Sequence, residues 1–384
     1  MKLLVFSPFY PPHKGGLESH SDEFNKYLAS LGVDITVFTP HLPLDAPVEE
    51  IRYERVTILR FPAIEIIHNY PLPQFWKKAF WQIWERINQE QYDLVLSRTR
   101  FFFTSLMAGY FARRKKLPWI HIEHGSDFAV FNTAFKTFLG KLYDLTLGTL
   151  VLKLSDVNIA NSKASARFVE RLSGRKDCHI IYRGVEKSLI ESIPPHTYLA
   201  DNFPGKVVIG FTGRLIDGKG VRDLLEAFSK LSPPSSICCI IGDGPERENI
   251  KKFIHDKKLH NQVILLGEKP FGEAMALLKS FDIFVNPSYT EGIPTAVIEA
   301  ALTEKAIIAT HVGGTPEIIT GNKDGILIAP GDVDALENAL SLLISDQSLR
   351  KSLGQAAFKQ VQGKFDWGHA AKQYLTLFNT LLKK

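Results

Sequence analysis

Short runs of β-branched and aromatic residues recur along the chain with helix-like segments between most of them, and this alternation constrains the fold more than any other feature. KLLVFSP, DITVFTP, VTILRFP, DLVLSRT, PWIHIEHG, VNIANS and HIIYRGV follow one another in the first half, separated by segments such as 17–31 (LESHSDEFNKYLASL) and 75–90. After residues 188–206, which carry three prolines and no periodicity, the pattern starts again with VVIGFTG, ICCIIGDG, VILLGE, DIFVNPS, AIIATHVGG and GILIAPG. Strands spaced by helices form βαβ units and parallel sheets. A chain of 384 residues exceeds the size at which one core keeps growing, so two cores are expected. The prediction is an α/β chain of two doubly wound parallel-sheet domains, residues 1–187 and 207–365, joined by a linker at 188–206, with helices over 332–362 and 366–384 closing the chain. The second-half strands end in Gly, Pro or small polar residues, which leaves room for a ligand at their carboxyl edge. Two such sheets on one linker are expected to face each other across a cleft that takes a small molecule.

Composition narrows the class. Hydrophobic content of 45% and charged content of 23% are those of a soluble globular protein. No run approaches 18 apolar residues, and the opening MKLLVFSPFYPP reads as a short strand broken by prolines, not as a signal peptide. Cys238 and Cys239 lie in the apolar run ICCII, and with Cys178 alone besides them they make neither a disulfide framework nor a zinc site. A reducing, cytoplasmic setting fits. The net charge of +5 is uneven: through Lys187 there are 25 Lys and Arg against 19 Asp and Glu. A basic half suits anionic lipid, a phosphorylated acceptor or nucleic acid, whereas any single run, such as Arg113–Lys116, is more simply solvated surface.

The chemistry-bearing segments fall at the carboxyl ends of strands. In TEGIPTAVIEA, Glu291 follows a strand and Glu299 stands eight positions on, about two turns into the next helix. Gly292 lies in the turn between them, and the backbone N–H groups of Thr295 and Ala296 fall at the helix start, where unpaired donors attract anions. Two acceptors flanking a patch of donors suit a ligand with hydroxyls at both ends and phosphates between, such as a nucleotide-sugar. A solvated turn glutamate and a helix-face glutamate are the plainer alternative. In FTGRLIDGKG, Arg214 and Lys219 lie among three glycines after the first strand of the second domain. A forked donor and a point charge there suit a diphosphate. Gly15 and Gly16 follow the first strand and open a helix, which allows close backbone approach to a phosphate; a plain turn would read the same way. The pattern is not GxGxxG, which argues against a dinucleotide oxidoreductase. His124 ends a strand in HIEHGSD and either packs or points into the cleft; His121 reads as packing. Glu123 and Asp127 beside these histidines have no metal-ligand spacing.

Taken in order, GG, HGSD, Asn161-Ser162, GRLIDGKG, IGDGPER, EGIPTAVIEA and GGTPEII resemble the family 4 retaining glycosyltransferases of the GT-B fold, from residue 3 to the chain's end. The resemblance implies two Rossmann-like domains. The first binds the acceptor, with 366–384 packing back on it, and the second binds a nucleotide-diphosphate sugar. By the same resemblance Glu299 would hold the ribose hydroxyls and Glu291 those of the transferred sugar. Arg214 and Lys219 would grip the diphosphate, with Gly15 and Gly16 beneath it, and His124 would touch the sugar near its anomeric centre. Gly313, Gly314 and Glu317 read as structural. Two departures stand out: Ser97-Arg98 where many members carry histidines, and Arg183 where asparagine is common.

The implied reaction moves a sugar, a hexose by frequency, to a hydroxyl of a glycan or lipid-linked acceptor with retention. No DxD-like pair follows a strand, so the expectation is an enzyme with no metal, no cofactor and no nucleic acid partner. A nucleotide-sugar-binding regulator or a sugar-nucleotide epimerase shares the architecture. Peripheral membrane contact by the first domain is a further expectation. It rests on Phe75, Trp76, Phe80, Trp81 and Trp84 beside Lys77 and Lys78, and on Phe131, Phe135, Phe138, Leu142 and Leu145 with Lys136 and Lys141 between. Apolar faces edged by lysines suit an interfacial helix, but both stripes also answer to burial in the core, and tryptophans at helical spacing more often bury.

Overall fold

The computed structural model describes residues 1–67, 70–128, 133–231 and 235–383; Phe131 of the second apolar stripe lies outside them. The chain divides into two compact units, Met1–Gly184 with Trp367–Lys384, and Val185–Asp366.

In the first unit the strands are β1 (Lys2–Phe6), β2 (Asp34–Pro40), β3 (Glu49–Arg52), β4 (Val56–Phe61), β5 (Ala63–Ile67), β6 (Tyr70–Pro73), β7 (Leu94–Arg98), β8 (Trp119–Glu123), β9 (Val157–Ala160) and β10 (His179–Ile180). Eight of them form one sheet in the order β10-β9-β8-β7-β1-β2-β4-β3, parallel throughout except where β3 runs against β4. The pair β5-β6 stands apart as a hairpin. The seven strands expected from the sequence are all present. The three that were not, β3, β5 and β6, have weak local signals: EEIR is charged and edge-placed, and YPLP carries two prolines that cannot donate to a ladder.

Period-two alternation explains why the central strands read as continuous apolar runs. Leu3 and Val5 face one core with Phe24 and Leu28 of the helix Gly16–Ser30 and Tyr374 and Phe378 of the helix Trp367–Leu382. Leu4 and Phe6 face the other, with Phe38, Trp84 and Phe111. Both sheet faces are covered, so both sets of side chains must be apolar.

The second unit holds β11 (Val207–Thr212), β12 (Ser236–Ile241), β13 (Val263–Gly267), β14 (Ile283–Asn286), β15 (Ala306–Thr310) and β16 (Ile326–Ile328). They make an all-parallel sheet ordered β13-β12-β11-β14-β15-β16. Cys238 and Cys239 are unpaired, buried members of β12, and burial raises both thiols above their ordinary range.

Residues 188–206 are not the free linker expected. The segment forms most of the helix Lys187–Ser192 and all of the helix Tyr198–Asn202, and it buries Ile190 and Leu199. The His196 N–H donates to the Ala276 carbonyl at 2.8 Å and the Ser280 hydroxyl to the His196 carbonyl at 2.6 Å. The prolines end short helices here; they do not free the chain. The units divide instead at Gly184–Val185 and Asp366–Trp367.

Strand order fixes where ligands can enter each sheet. From β11 the chain builds outward to β12 and β13, then returns to β14 on the other side; from β1 it builds to β2 and β4, then returns to β7. Each reversal opens a crevice at the carboxyl ends of two adjacent strands, the topological switch point of a doubly wound sheet.

Candidate active site

In the second unit the residues singled out from the sequence collect at the β11/β14 switch point. Lys219 ends a short 3₁₀ turn, Asp217–Lys219, after β11, and its Nζ lies 2.6 Å from Glu291 Oε1. The Ser288 hydroxyl donates to the same oxygen at 2.7 Å, and the Ser288 carbonyl in turn accepts from Thr310 Oγ1 at the end of β15. The two loops are also joined through backbone: the Tyr289 N–H donates to the Gly218 carbonyl at 2.9 Å. Gly220 sits at φ 63°, and a Cβ there would overlap the Pro287 carbonyl oxygen, so only glycine lets these loops meet. The IGDGPER loop after β12 is bound in the same way, Leu215 N–H to Asp243 carbonyl at 2.9 Å and Glu246 N–H to Leu215 carbonyl at 2.9 Å. Arg214 is exposed, and its side chain makes no hydrogen bond or ion pair among the described residues.

The helix Thr295–Leu302 starts from Pro294, which offers no side-chain cap to its first turn. Thr295 and Ala296 are partly exposed at that end, and Glu299 is partly exposed further along it. Gly292 accepts the Gly314 N–H at 2.9 Å. The GGTPE segment therefore braces the Glu291 loop from behind.

The first unit gathers a second cluster at the β1/β7 switch point. His124 follows β8, and its Nε2 is buried without a hydrogen-bond partner among the described residues. Its ring stands edge-on to His20 with centroids 4.6 Å apart, and His20 packs on Trp367 at 5.0 Å. Arg98 Nη1 donates to His20 Nδ1 at 3.0 Å. An arginine can only donate, so His20 carries its hydrogen on Nε2. Arg98 is wholly buried over the Phe24 ring at 4.4 Å, with Nε and Nη2 unpartnered among the described residues. Burial, with Arg98 beside it, holds His124 down at about 3. Burial, His124 and Arg98 hold His20 well below its ordinary range. Both rings are neutral at pH 7. Burial also lowers Arg98 to about 10, which leaves it charged.

The strand end carrying His124 is held by a buried polar chain. Trp119 Nε1 donates to Ser97 Oγ at 2.9 Å, Ser97 Oγ lies 2.9 Å from His121 Nδ1, and His121 Nε2 lies 3.4 Å from Glu123 Oε2. Glu123 Oε1 accepts the backbone N–H groups of His124 and Gly125 at 2.9 and 2.7 Å and pairs with Arg100 at 3.1 Å. Arg100 also pairs with Asp144 at 2.9 Å. Glu123 is thus committed to the fold, and among the described residues no group of three or more His, Cys, Asp or Glu is arranged to hold a metal ion. Thr99, between the two arginines, adopts φ 59°, an unusual conformation for a β-branched residue and one that recurs at functional loops.

Gly15 caps the helix Gly16–Ser30, and the Glu18 carboxylate lies against it while Glu18 Oε1 pairs with His13 Nδ1 at 2.5 Å. A Cβ at Gly16 would meet open space. The start of this helix already carries a carboxylate. Sequence reasoning missed His20, Glu23 and Trp367, where Glu23 Oε2 accepts from Trp367 Nε1 at 2.9 Å and from Arg183 Nη2 at 3.2 Å. It also missed Ser288 and Thr310. The small polar residues ending β14 and β15 were a usable signal for the latter pair; nothing local marks the former.

Comparison with known proteins agrees with this arrangement. Residues 14–189 match the description Glycosyltransferase Family 4 and residues 200–360 match Glycosyl transferases group 1. An uncharacterized glycosyltransferase of Methanocaldococcus jannaschii is 35% identical over 390 aligned residues, covering 100% of this chain and 99% of that one. The N,N'-diacetylbacillosaminyl-diphospho-undecaprenol alpha-1,3-N-acetylgalactosaminyltransferase of Campylobacter jejuni is 25% identical over 71% of this chain and 73% of its own. Among solved structures, Anabaena HepE in complex with UDP-glucose superposes with a TM-score of 0.79 at 19% identity, over 99% of this chain and 100% of that one. The chain is therefore a glycosyltransferase, and it belongs to family 4, with the GT-B fold.

Proposed function

We infer that the enzyme transfers a sugar from a nucleotide-diphosphate sugar to a hydroxyl of a glycan or lipid-linked acceptor, with retention and without a metal ion. One observation carries the reading: Lys219 is held on Glu291 at the β11/β14 switch point, in the loop that also carries an exposed Arg214, and the helix that follows Glu291 starts from Pro294 without a side-chain cap. Breaking the sugar–diphosphate bond puts negative charge on the leaving group. Lys219, Arg214 and the helix-start N–H groups meet that charge where it develops. Glu291 aims Lys219 and is placed to accept sugar hydroxyls, and Glu299 takes the ribose. The acceptor hydroxyl attacks on the face the diphosphate leaves, passing its proton to the departing phosphate oxygen as the sugar–diphosphate bond breaks, which retains configuration. A structural neighbour holds UDP-glucose and a relative is named for a diphospho-undecaprenol acceptor, which supports the donor and acceptor classes.

Thermal-shift titration with UDP-glucose and other nucleotide-sugars tests the donor, since a ligand at 100 times its Kd stabilises by about 2.7 kcal/mol. Arg214→Ala and Lys219→Ala should each lower turnover by roughly a hundredfold or more, the usual loss for one donor to a developing anion, about 3–4 kcal/mol. The unliganded melting temperature should hold. Unchanged donor affinity and turnover in both variants would sink the assignment.

A further inference from the structure

The helical stretch from Ala134 to Leu154 is built inside out. It comprises the helix Ala134–Tyr143, a π-helical turn Asp144–Gly148 and the helix Thr149–Leu154. Its first two-thirds turn Gly140, Asp144 and Gly148 inward, two glycines and a carboxylate paired with Arg100. The large apolar residues point the other way. Phe135 is 69% exposed and Phe138 is 62% exposed, and Leu139, Leu142, Leu145, Leu147 and Leu150 are all exposed as well. An amphipathic helix of a soluble protein turns such a stripe to the core, and an exposed apolar face of this kind marks an interaction site. The 75–84 stripe behaves differently: Phe80 and Trp84 are buried in the core, with Phe75, Trp76 and Trp81 exposed.

Charge says what the exposed stripe meets. Arg113, Arg114, Lys115 and Lys116 at the end of the neighbouring helix Phe103–Lys115, with Lys136, Lys141 and Lys153, give seven exposed cations. Within 103–116 and 134–154 the sole acid is Asp144, which is buried and paired. A groove of about 490 Å³ between the two helical segments has an apolar floor that includes Leu106, Leu150 and Leu154, and it is also lined by Tyr110, Arg113 and Arg114. A second copy of the chain would set this cationic face against itself, since a two-fold interface pairs one patch with its equal. A bilayer leaflet rich in anionic lipid matches both features, with acyl chains for the stripe and phosphates for the arginines and lysines. No helix among the described residues is long and apolar enough to cross a membrane, so the contact is peripheral.

We propose that the 134–154 helix and the cationic end of the 103–116 segment form a docking face for anionic lipid headgroups. The Asp144–Arg100–Glu123 chain ties this face to the strand end that carries His124. The use of such docking rests on the reading of a lipid-linked acceptor, but its existence does not.

The test sediments the full chain, without donor or acceptor, with phosphatidylglycerol or phosphatidylcholine vesicles. Salt is raised from 0.1 M to 1 M, which shortens the Debye length from about 10 to about 3 Å. The wild type should pellet with phosphatidylglycerol at low salt, release at high salt and ignore phosphatidylcholine. Arg113→Gln with Arg114→Gln should weaken binding about 25-fold, at roughly fivefold per cation. Phe138→Ser with Leu142→Ser should weaken it at least tenfold, each deletion removing several buried methylenes. All four side chains are exposed, so melting and nucleotide-sugar hydrolysis in solution should not change. Wild type left in the supernatant, equal binding to both lipids, or variants that pellet like wild type overturn the proposal. So does a dimer that Phe138→Ser dissociates. Loss of nucleotide-sugar binding in the thermal-shift titration while vesicle binding persists would sink the donor reading and leave the docking face standing.

Discussion

Lowering the pH from 7 to 5 should cost the first unit about 2 kcal/mol through His124 alone. An unfolded histidine titrates near 6.5, whereas burial and Arg98 hold His124 at about 3 in the fold. Between those values the unfolded chain binds a proton that the folded chain refuses. Stability is therefore complete above the unfolded value and falls, as the pH drops, by about 1.4 kcal/mol per unit until the folded value is reached. His20, depressed in the same direction by burial and by His124 and Arg98, adds a loss of the same sign. Glu123 lies outside this window. Burial raises it but Arg100 and His121 lower it further, so its contribution is lost only below about 4.3, the ordinary carboxylate value. The perturbation is His124→Asn, which keeps a polar side chain and cannot charge. Tryptophans 76, 81, 84, 119 and 367, all five in the chain, lie in the first unit, so their fluorescence in urea reports that unit alone. The wild type should lose at least about 2 kcal/mol between pH 7 and 5, and the variant should lose about 2 kcal/mol less. Equal losses in the two proteins would refute the buried, neutral assignment.

Two further outcomes are expected. Transfer from the nucleotide-sugar should survive excess EDTA, because Arg214, Lys219 and a helix start supply the positive charge; loss restored by magnesium or manganese would show that reading to be wrong. Arg98→Met should cost no more than about 3 kcal/mol, since a buried cation with no ion pair among the described residues is exchanged for an apolar side chain of similar length while His20 Nδ1 loses its donor; a loss well above that in urea unfolding would mean that a buried anionic partner had been broken.

The strands of both sheets were legible because their signal is local. Leu3, Leu4, Val5 and Phe6 are all apolar because both faces of β1 are covered, and that requirement is written in consecutive residues. The candidate-site loops were legible as strand-end segments for a related reason: Arg214, Lys219, Glu291 and Glu299 each lie within a short segment at a strand end, where backbone geometry alone says which groups face the edge. What brings Lys219 onto Glu291, 72 positions away, is the adjacency of β11 and β14, and no local pattern encodes strand order. The same holds for the His124 cluster. His20, Arg98, His124, Arg183 and Trp367 come from five separate segments, and only packing makes one buried, cationic group of them. Residues 188–206 looked like a linker because prolines erase periodicity, yet Ile190 and Leu199 are buried in the fold. The 134–154 stripe shows the limit most plainly. Its spacing told of a helix with one apolar face, but a period carries no direction. Only packing shows which way it faces: Asp144 is buried against Arg100, and the phenylalanines and leucines are exposed.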